Sequence, residues 1–159
     1  MQQDSAGSVS LLTGAAPGLA VCDFCAGAGG KTLALAADMS EDGRIRGRLV
    51  ACDVSDYRLA RMTPRLERAG AHGVERRAIR AKDDPWVREN AATFDRVLVD
   101  APCTGTGTWR RNPAARWRFE PRDLHEFVAT QRRILEEAQH LVRPGGRLVY
   151  ATCSLLQEE

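Results

Sequence analysis

The chain has 159 residues, of which 43% are hydrophobic and 28% charged, and its formal net charge is +2. This length suits one domain with a buried core, and the small net charge means that any surface for nucleic acid must be local. We find neither an apolar run long enough to span a membrane nor the basic and apolar regions of a signal peptide at the N-terminus. We therefore expect a cytoplasmic protein.

Five cysteines are spread through strand-like segments, which favours reduced thiols over a disulfide framework. Cys22 and Cys25 form a C-x-x-C pair, but the sequence has no second C-x-x-C or C-x-x-H pair to complete a zinc site. We therefore expect no metal.

Hydrophobic periodicity and the positions of glycine and proline predict alternating strands and helices. In chain order, the predicted elements are a helix at 8–12, a strand at 19–24, a helix at 31–39, a strand at 48–53, a helix at 56–69, strands at 74–79 and 96–100, a helix at 121–142 and a strand at 147–152. Pro64 is a candidate kink in the third helix, and Pro144-Gly145-Gly146 is the expected stop of the last helix.

This alternation predicts an α/β fold with a mostly parallel sheet of about five strands and helices on both faces. Ligands of such sheets bind beyond the carboxyl ends of the strands. The chemically reactive residues of this chain fall at those ends: Asp23, Cys25, Asp53, Asp83, Asp100, Cys103 and Cys153. We therefore expect the functional site along that edge of the sheet.

A glycine-rich loop, DFCAGAGGKT, follows the first predicted strand and opens a helix. Such a loop lets a ligand approach the backbone near a helix N-terminus. A dinucleotide fingerprint would need glycine at position 32, which is Thr32, and a P-loop would need glycine at position 25, which is Cys25. The P-loop alternative stays open, because Gly30-Lys31-Thr32 fits its end and the 97–100 segment has the form of a strand that ends in a magnesium-binding aspartate.

The third interpretation of the loop is a site for S-adenosyl-L-methionine. It requires a tight glycine turn after the first strand and an acidic residue at the end of the second strand for the ribose hydroxyls. Asp53 lies at that position, at about the spacing expected in such a unit. We rank the methyl donor first, a nucleoside triphosphate second and a structural turn without a ligand last.

Two cysteines mark the ends of neighbouring predicted strands. Cys103 follows the fourth strand within D-A-P-C, and Cys153 follows the fifth. If both thiols face one crevice, they suit C5 methylation of a pyrimidine, in which a thiolate adds to C6 and makes C5 nucleophilic. A carboxyl group such as Asp100 would hold N3 and N4 of the base and stabilise charge on the ring.

The segment from Thr104 to Phe119 contains four arginines, two tryptophans and no acidic residue. Arginines interleaved with aromatic residues suit phosphates and unstacked bases. We expect Arg110 and Arg111 to contact RNA. For Trp117, we favour a structural role as an anchor of this loop on the core.

Three of these stretches resemble one known family. DFCAGAGGKT, FDRVLVDAPCTGTGTWRRNP and RLVYATCSLLQEE resemble the RsmB/NOP-type (Sun-related) RNA cytosine-5 methyltransferases, and the opening QQDSA resembles the stretch before their catalytic domain. The pairing of P-C-[ST]-G with a downstream T-C-S is the specific part of this resemblance. It implies a Rossmann-like class I methyltransferase fold, S-adenosyl-L-methionine as methyl donor and a cytosine of ribosomal or transfer RNA as acceptor.

The resemblance also implies roles for the matching residues. Cys153 is the nucleophile that forms the C6 adduct, Cys103 assists release of the product, and Asp100 serves the active centre. Chemistry alone would favour Cys103 as the nucleophile, the role that the P-C cysteine has in DNA cytosine-5 methyltransferases. The residues that the resemblance places around the cofactor are Cys25, Ala26, Gly27, Ala28, Gly29, Gly30, Lys31, Asp53, Asp83 and Asp100.

Some features depart from the family pattern. Gly27 and Ala28 replace the second alanine and the proline of the usual A-A-P-G-G-K loop. Asp83 and Asp84 both fit the adenine-binding acid, and we choose Asp83. Since the chain ends at Glu159, we expect residues 1–159 to be a monomeric catalytic domain without the last two strands or a separate RNA-binding module. A non-catalytic RNA-binding fragment is therefore a third hypothesis, beside the methyltransferase and the P-loop NTPase.

Overall fold

A computed structural model describes residues 2–80 and 83–159. The strands are β1 (Ala20–Asp23), β2 (Ser40–Glu41), β3 (Arg44–Ile45), β4 (Arg48–Asp53), β5 (Glu75–Ala78), β6 (Phe94–Asp100) and β7 (Val142–Ala151). The α-helices are α1 (Gln2–Thr13), α2 (Gly30–Asp38), α3 (Asp56–Arg68), α4 (Pro85–Glu89), α5 (Pro113–Arg118) and α6 (Pro121–Ala138). Short 3-10 helices occur at Thr106–Thr108 and Gln139–Leu141.

Five strands form one parallel sheet in the order β5-β4-β1-β6-β7, and β2 and β3 form a separate two-stranded hairpin. The predicted α/β class and parallel sheet are therefore confirmed. The expectation that the fourth and fifth predicted strands are neighbours is also confirmed, because β6 pairs with β7 and Asp100 lies opposite Ala151. This register brings the loops after β6 and β7 to the same edge of the sheet.

The sheet buries apolar side chains on both faces, as alternation along its strands requires. One face carries Cys22, Val50 and Val97 with Trp86 and Leu141 from the covering helices. The other face packs against α2 and α3, whose buried residues include Leu35, Met62 and Leu66. Burial of one such side chain stabilises the fold by roughly 1.5–3 kcal/mol.

The boundary between α6 and β7 differs from the prediction. The helix ends at Ala138 rather than at position 142, and β7 begins at Val142. Pro144-Gly145-Gly146 lies inside the strand instead of stopping a helix. Glycine is needed at both positions, because Gly145 adopts φ 78° and a Cβ on Gly146 would lie 3.0 Å from the Asp95 carbonyl oxygen. The pairing of β6 with β7 shifts register between Phe94 and Arg96.

The remaining differences concern short or polar elements. Helix α1 extends well beyond the predicted 8–12, Pro64 lies within α3, and the prediction omitted the β2–β3 hairpin, α4 and α5. Within the described parts of the chain, every helix is too short or too polar to traverse a lipid bilayer.

Candidate active site

A cavity of about 1030 Å³ opens at the carboxyl ends of the central strands. Its wall includes both the glycine-rich loop and the two cysteine-bearing loops. The predicted site residues that line it are Cys25, Ala26, Gly27, Ala28, Gly30, Lys31, Asp53, Asp100, Cys103, Arg111 and Cys153. The fold therefore brings the predicted cofactor loop and the predicted reaction centre into one space.

The glycine-rich loop is held by hydrogen bonds at both ends. Ala26 N donates to Cys52 O at 2.8 Å, and Gly29 N donates to Ala26 O at 2.9 Å. Gly29 is the N-cap of α2 with φ 83°, and a Cβ there would overlap Met62. A residue without a side chain is therefore required at the point where the loop enters the helix.

Asp53 joins this loop to the end of β4. Its Oδ2 accepts a hydrogen bond from Gly27 N at 2.9 Å, and its Oδ1 accepts from Ser55 N at 2.9 Å and lies 3.1 Å from the Arg58 guanidinium. The side chain is 5% exposed and lines the cavity. A carboxylate fixed in this way is a preorganised acceptor for ligand hydroxyl groups.

Asp23 lies beneath the loop and is fully buried. Burial raises its pKa to about 7, against the opposing effect of a 2.7 Å hydrogen bond from Thr32 Oγ1 to Oδ2. Its Oδ1 has no hydrogen-bond partner among the residues described. The side chain therefore holds a proton at mildly acidic pH and loses it near neutrality.

An ion pair connects the cofactor loop to the reaction centre. Lys31 Nζ, from the first turn of α2, lies 2.5 Å from Asp100 Oδ2 at the end of β6. Both side chains line the cavity and are partly exposed. The lysine places a positive charge beside the Asp100 carboxylate.

The two predicted thiols are in contact. Cys103 Sγ lies 3.3 Å from Cys153 Sγ, and both cysteines are free. The hydrogen bond between them lowers the pKa of Cys103 to about 6, against the effect of burial. The same hydrogen bond raises the pKa of Cys153 well above its usual value. The two thiols therefore share one proton at neutral pH, and the direction of the shifts favours the thiolate on Cys103.

A network of hydroxyl groups, which the sequence analysis missed, ties the two cysteine-bearing loops together. Ser154 Oγ lies 3.2 Å from Thr104 Oγ1 and 3.1 Å from Thr106 Oγ1. Leu155 N donates to Thr106 Oγ1 at 2.7 Å, and Gly107 N donates to Cys153 O at 2.9 Å. The sequence motifs P-C-T-G-T and T-C-S could have indicated this network, because each of their hydroxyl residues lies one to three positions from a cysteine.

Three predicted residues do not line the cavity: Gly29, Asp83 and Arg110. Asp83 is exposed with φ 58°, and Asp84 is buried and caps α4 by accepting a hydrogen bond from Trp86 N at 3.0 Å. Arg110 is exposed near the cavity-lining Arg111.

The expected structural role of Trp117 is wrong. Its side chain is 85% exposed on α5, and the Arg116 guanidinium lies 6.0 Å from its ring centroid. Trp109 takes the packing role instead, with its ring 5.7 Å from that of Phe119. The short helix α5 turns position 117 outward, and the spacing of aromatic residues alone did not indicate this.

Comparison with protein families matches residues 13–159 to a family described as 16S rRNA methyltransferase RsmB/F. Two curated proteins named ribosomal RNA small subunit methyltransferase B are similar to the chain. The protein from Pectobacterium atrosepticum is 37% identical over 87% of this chain, and that from Salmonella paratyphi B is 35% identical over all of it. The chain spans 31% and 35% of these proteins, respectively, or about one third of their length.

Two solved structures are also similar to the chain. The crystal structure of PH0851 superposes with a TM-score of 0.88 at 37% identity, over 98% of this chain and 34% of that one. NSun6 from Pyrococcus horikoshii with SFG superposes with a TM-score of 0.82 at 26% identity, over 96% of this chain and 37% of that one. Both similarities extend over nearly all of the present chain.

Proposed function

The chain belongs to the 16S rRNA methyltransferase RsmB/F family, and we propose that it forms the catalytic core of an enzyme that methylates C5 of a cytosine in ribosomal RNA. This membership agrees with the motif resemblance and favours a methyltransferase over a P-loop NTPase. Cytosine as the target and Cys153 as the nucleophile are what the motif resemblance implies, and the geometry of the site supports a covalent cysteine mechanism. The observation that carries this mechanism is the 3.3 Å contact between Cys103 and Cys153 beside Asp100 in one cavity.

The methyl donor is S-adenosyl-L-methionine, and the site has the features needed to hold it. The cavity is large, the glycine-rich loop presents its backbone at the start of α2, and Asp53 is placed to accept hydrogen bonds from the ribose hydroxyls. SFG in the NSun6 structure supports this assignment. When bound, the donor supplies an electrophilic methyl group.

Asp100 and the two cysteines perform the chemistry on the base. As the Sγ–C6 bond forms, Cys153 gives its proton to the Cys103 thiolate, and electron density moves to C5. Asp100, held by Lys31, orients the base through its polar edge. Cys103 then gives this proton to solvent, which restores the thiolate that serves as the base in the last step. After methylation, Cys103 accepts the C5 proton, the C5–C6 double bond re-forms and the Sγ–C6 bond breaks.

We place the RNA strand along the 104–119 segment. Arg111 lines the cavity, Arg110 is exposed nearby, and Trp117 offers an uncovered aromatic face beside Arg116. Guanidinium groups pair with phosphates, and an exposed indole stacks on an unpaired base. This arrangement suits a single-stranded RNA segment that delivers one base to the cysteines.

Covalent trapping tests this mechanism. RNA containing 5-azacytidine is incubated with the chain and S-adenosyl-L-methionine, and a protein–RNA adduct is sought on a denaturing gel. We expect an adduct with the wild-type chain and with Cys103→Ala, and none with Cys153→Ala. Trapping that persists in Cys153→Ala and disappears in Cys103→Ala would reverse the roles of the two thiols.

A parallel binding measurement separates the other hypotheses. Calorimetry with S-adenosylhomocysteine should give saturable binding to this chain. RNA binding without any binding of S-adenosylhomocysteine would identify a non-catalytic RNA-binding fragment. Magnesium-dependent ATP binding that is lost in Lys31→Ala would restore the P-loop hypothesis.

A further inference from the structure

We propose that Gln131 and Glu159 are positioning residues, which clamp the peptide of Cys103 and hold its thiol in register with Cys153. Sequence patterns singled out neither residue. The catalytic meaning of this clamp depends on the proposed function, but its geometric effect on Cys103 does not.

The clamp contacts the backbone on both sides of Cys103. On the N-terminal side, Gln131 Nε2 donates to the carbonyl oxygen of Pro102 at 2.9 Å. On the C-terminal side, Thr104 N donates to Glu159 Oε1 at 2.9 Å. Gln131 Nε2 also donates to Glu159 Oε1 at 2.8 Å, which closes the arrangement. The peptide groups that flank Cys103 are therefore tied to a single pair of side chains.

The clamp combines a buried amide, that of Gln131, with a carboxylate that stays charged at neutral pH, that of Glu159. Gln131 is 3% exposed on α6, and its two amide hydrogens account for its two acceptors. Burial disfavours the charged form of Glu159, but hydrogen bonds from Ser154, Thr104 and Gln131 lower its pKa, so it is an anion at neutral pH. Thr104 Oγ1 donates to the second carboxylate oxygen, and Tyr150 OH donates to the Glu159 carbonyl oxygen at 3.1 Å.

The clamp also links the two cysteine-bearing loops to each other. Thr104, which Glu159 holds, shares its hydroxyl with Ser154, the residue after Cys153. Loss of the clamp would therefore free the 102–104 peptide and lengthen the contact between the thiols. The expected consequence is slower release of the methylated base, the later of the two steps that Cys103 performs, with little effect on binding of the methyl donor.

The diagnostic variant is Gln131→Leu, which keeps the volume of the side chain and removes both donors. We expect turnover on RNA to fall about 10- to 100-fold, since small misplacements of a reacting group have effects of this size. The KM for S-adenosyl-L-methionine should stay within about 2-fold of the wild-type value, and a covalent adduct with ordinary cytosine RNA should accumulate. Glu159→Gln is the second variant and should show the same pattern with a smaller effect, because its amide has one acceptor oxygen where the carboxylate accepts at both Oε1 and Oε2.

Two matched controls make the same substitutions at a glutamine and a glutamate that lie outside the clamp. Gln139→Leu removes an exposed amide that donates to Glu136 O, and Glu158→Gln neutralises the exposed neighbour of Glu159. Both controls should retain wild-type turnover. Thermal unfolding identifies any variant that has lost its fold.

An assay without RNA tests the clamp independently. The rate of Cys103 alkylation by iodoacetamide is measured against pH, with the site identified by mass spectrometry. In Gln131→Leu the midpoint should rise, because the hydrogen bond from Cys153 to Cys103 weakens while the charge of Glu159 remains. A folded Gln131→Leu with the wild-type midpoint and no accumulated adduct would overturn the clamp. Absence of trapping in the wild-type chain would instead count against the proposed function, and the alkylation result would still decide the clamp.

Discussion

Replacing Cys153 with alanine removes the hydrogen bond that holds the pKa of Cys103 at about 6, so alkylation of Cys103 should then require a higher pH. Alkylation proceeds through the thiolate, and its rate therefore rises with pH through the pKa. In the wild-type chain the midpoint is expected at about 6. In Cys153→Ala it should move to about 8.5, the value of an ordinary cysteine.

The midpoint is a better measurement than the rate at one pH. At pH 7 the thiolate fraction would fall about 30-fold, but the more basic thiolate is intrinsically about 10- to 18-fold more reactive, which leaves a net loss of only about 2- to 3-fold. Full pH profiles with iodoacetamide, mapped to Cys103 by mass spectrometry, avoid this compensation.

Cys153→Ser is the matched control for that experiment. Its hydroxyl keeps a hydrogen-bond donor near Cys103, so its midpoint should stay closer to the wild-type value than that of Cys153→Ala. A wild-type midpoint above about 8, or a midpoint that is the same in Cys153→Ala and the wild type, would refute the assignment of the thiolate to Cys103.

Three further variants test other parts of the site. Asp53→Asn should weaken S-adenosylhomocysteine binding about 10- to 150-fold by calorimetry, since it removes a buried charged acceptor; an unchanged Kd would contradict the ribose assignment. Trp117→Ala should weaken single-stranded RNA binding about 5- to 150-fold by fluorescence anisotropy, with Trp117→Phe intermediate; equal affinities would exclude stacking. Gly29→Ala should lower the free energy of unfolding by more than about 1 kcal/mol, measured by urea titration, whereas Gly30→Ala should not.

Elements with strong apolar periodicity could be predicted from the sequence, and polar or short ones could not. Strand β4 was predicted at its observed bounds, because its apolar run sits between clear polar ends. Helix α4 has only five residues and depends on Asp84 as its cap. In β7, the Pro-Gly-Gly run suggested a helix stop, but it lies at an irregularity inside the strand, which pairs with β6 at Val142 and again from Arg147.

Some features of the candidate site could likewise be predicted from the sequence, and others could not. The positions of Asp53, Asp100 and the two cysteines at strand ends followed from topology, and the cavity brings them together. Partnerships between distant side chains could not be predicted. The Lys31–Asp100 ion pair spans 69 positions and the Gln131–Glu159 hydrogen bond spans 28, so each depends on packing that no local pattern encodes.

The contact between Cys103 and Cys153 has a consequence for the newly synthesised chain. The two thiols are 50 positions apart, and the intervening chain includes α5 and α6. Closing a parallel pair over such a connection is a slow, non-local event in folding. Before it occurs, Cys103 keeps the pKa of an ordinary cysteine and is mostly protonated at neutral pH. The protein therefore acquires its acidic thiol only on reaching the native state.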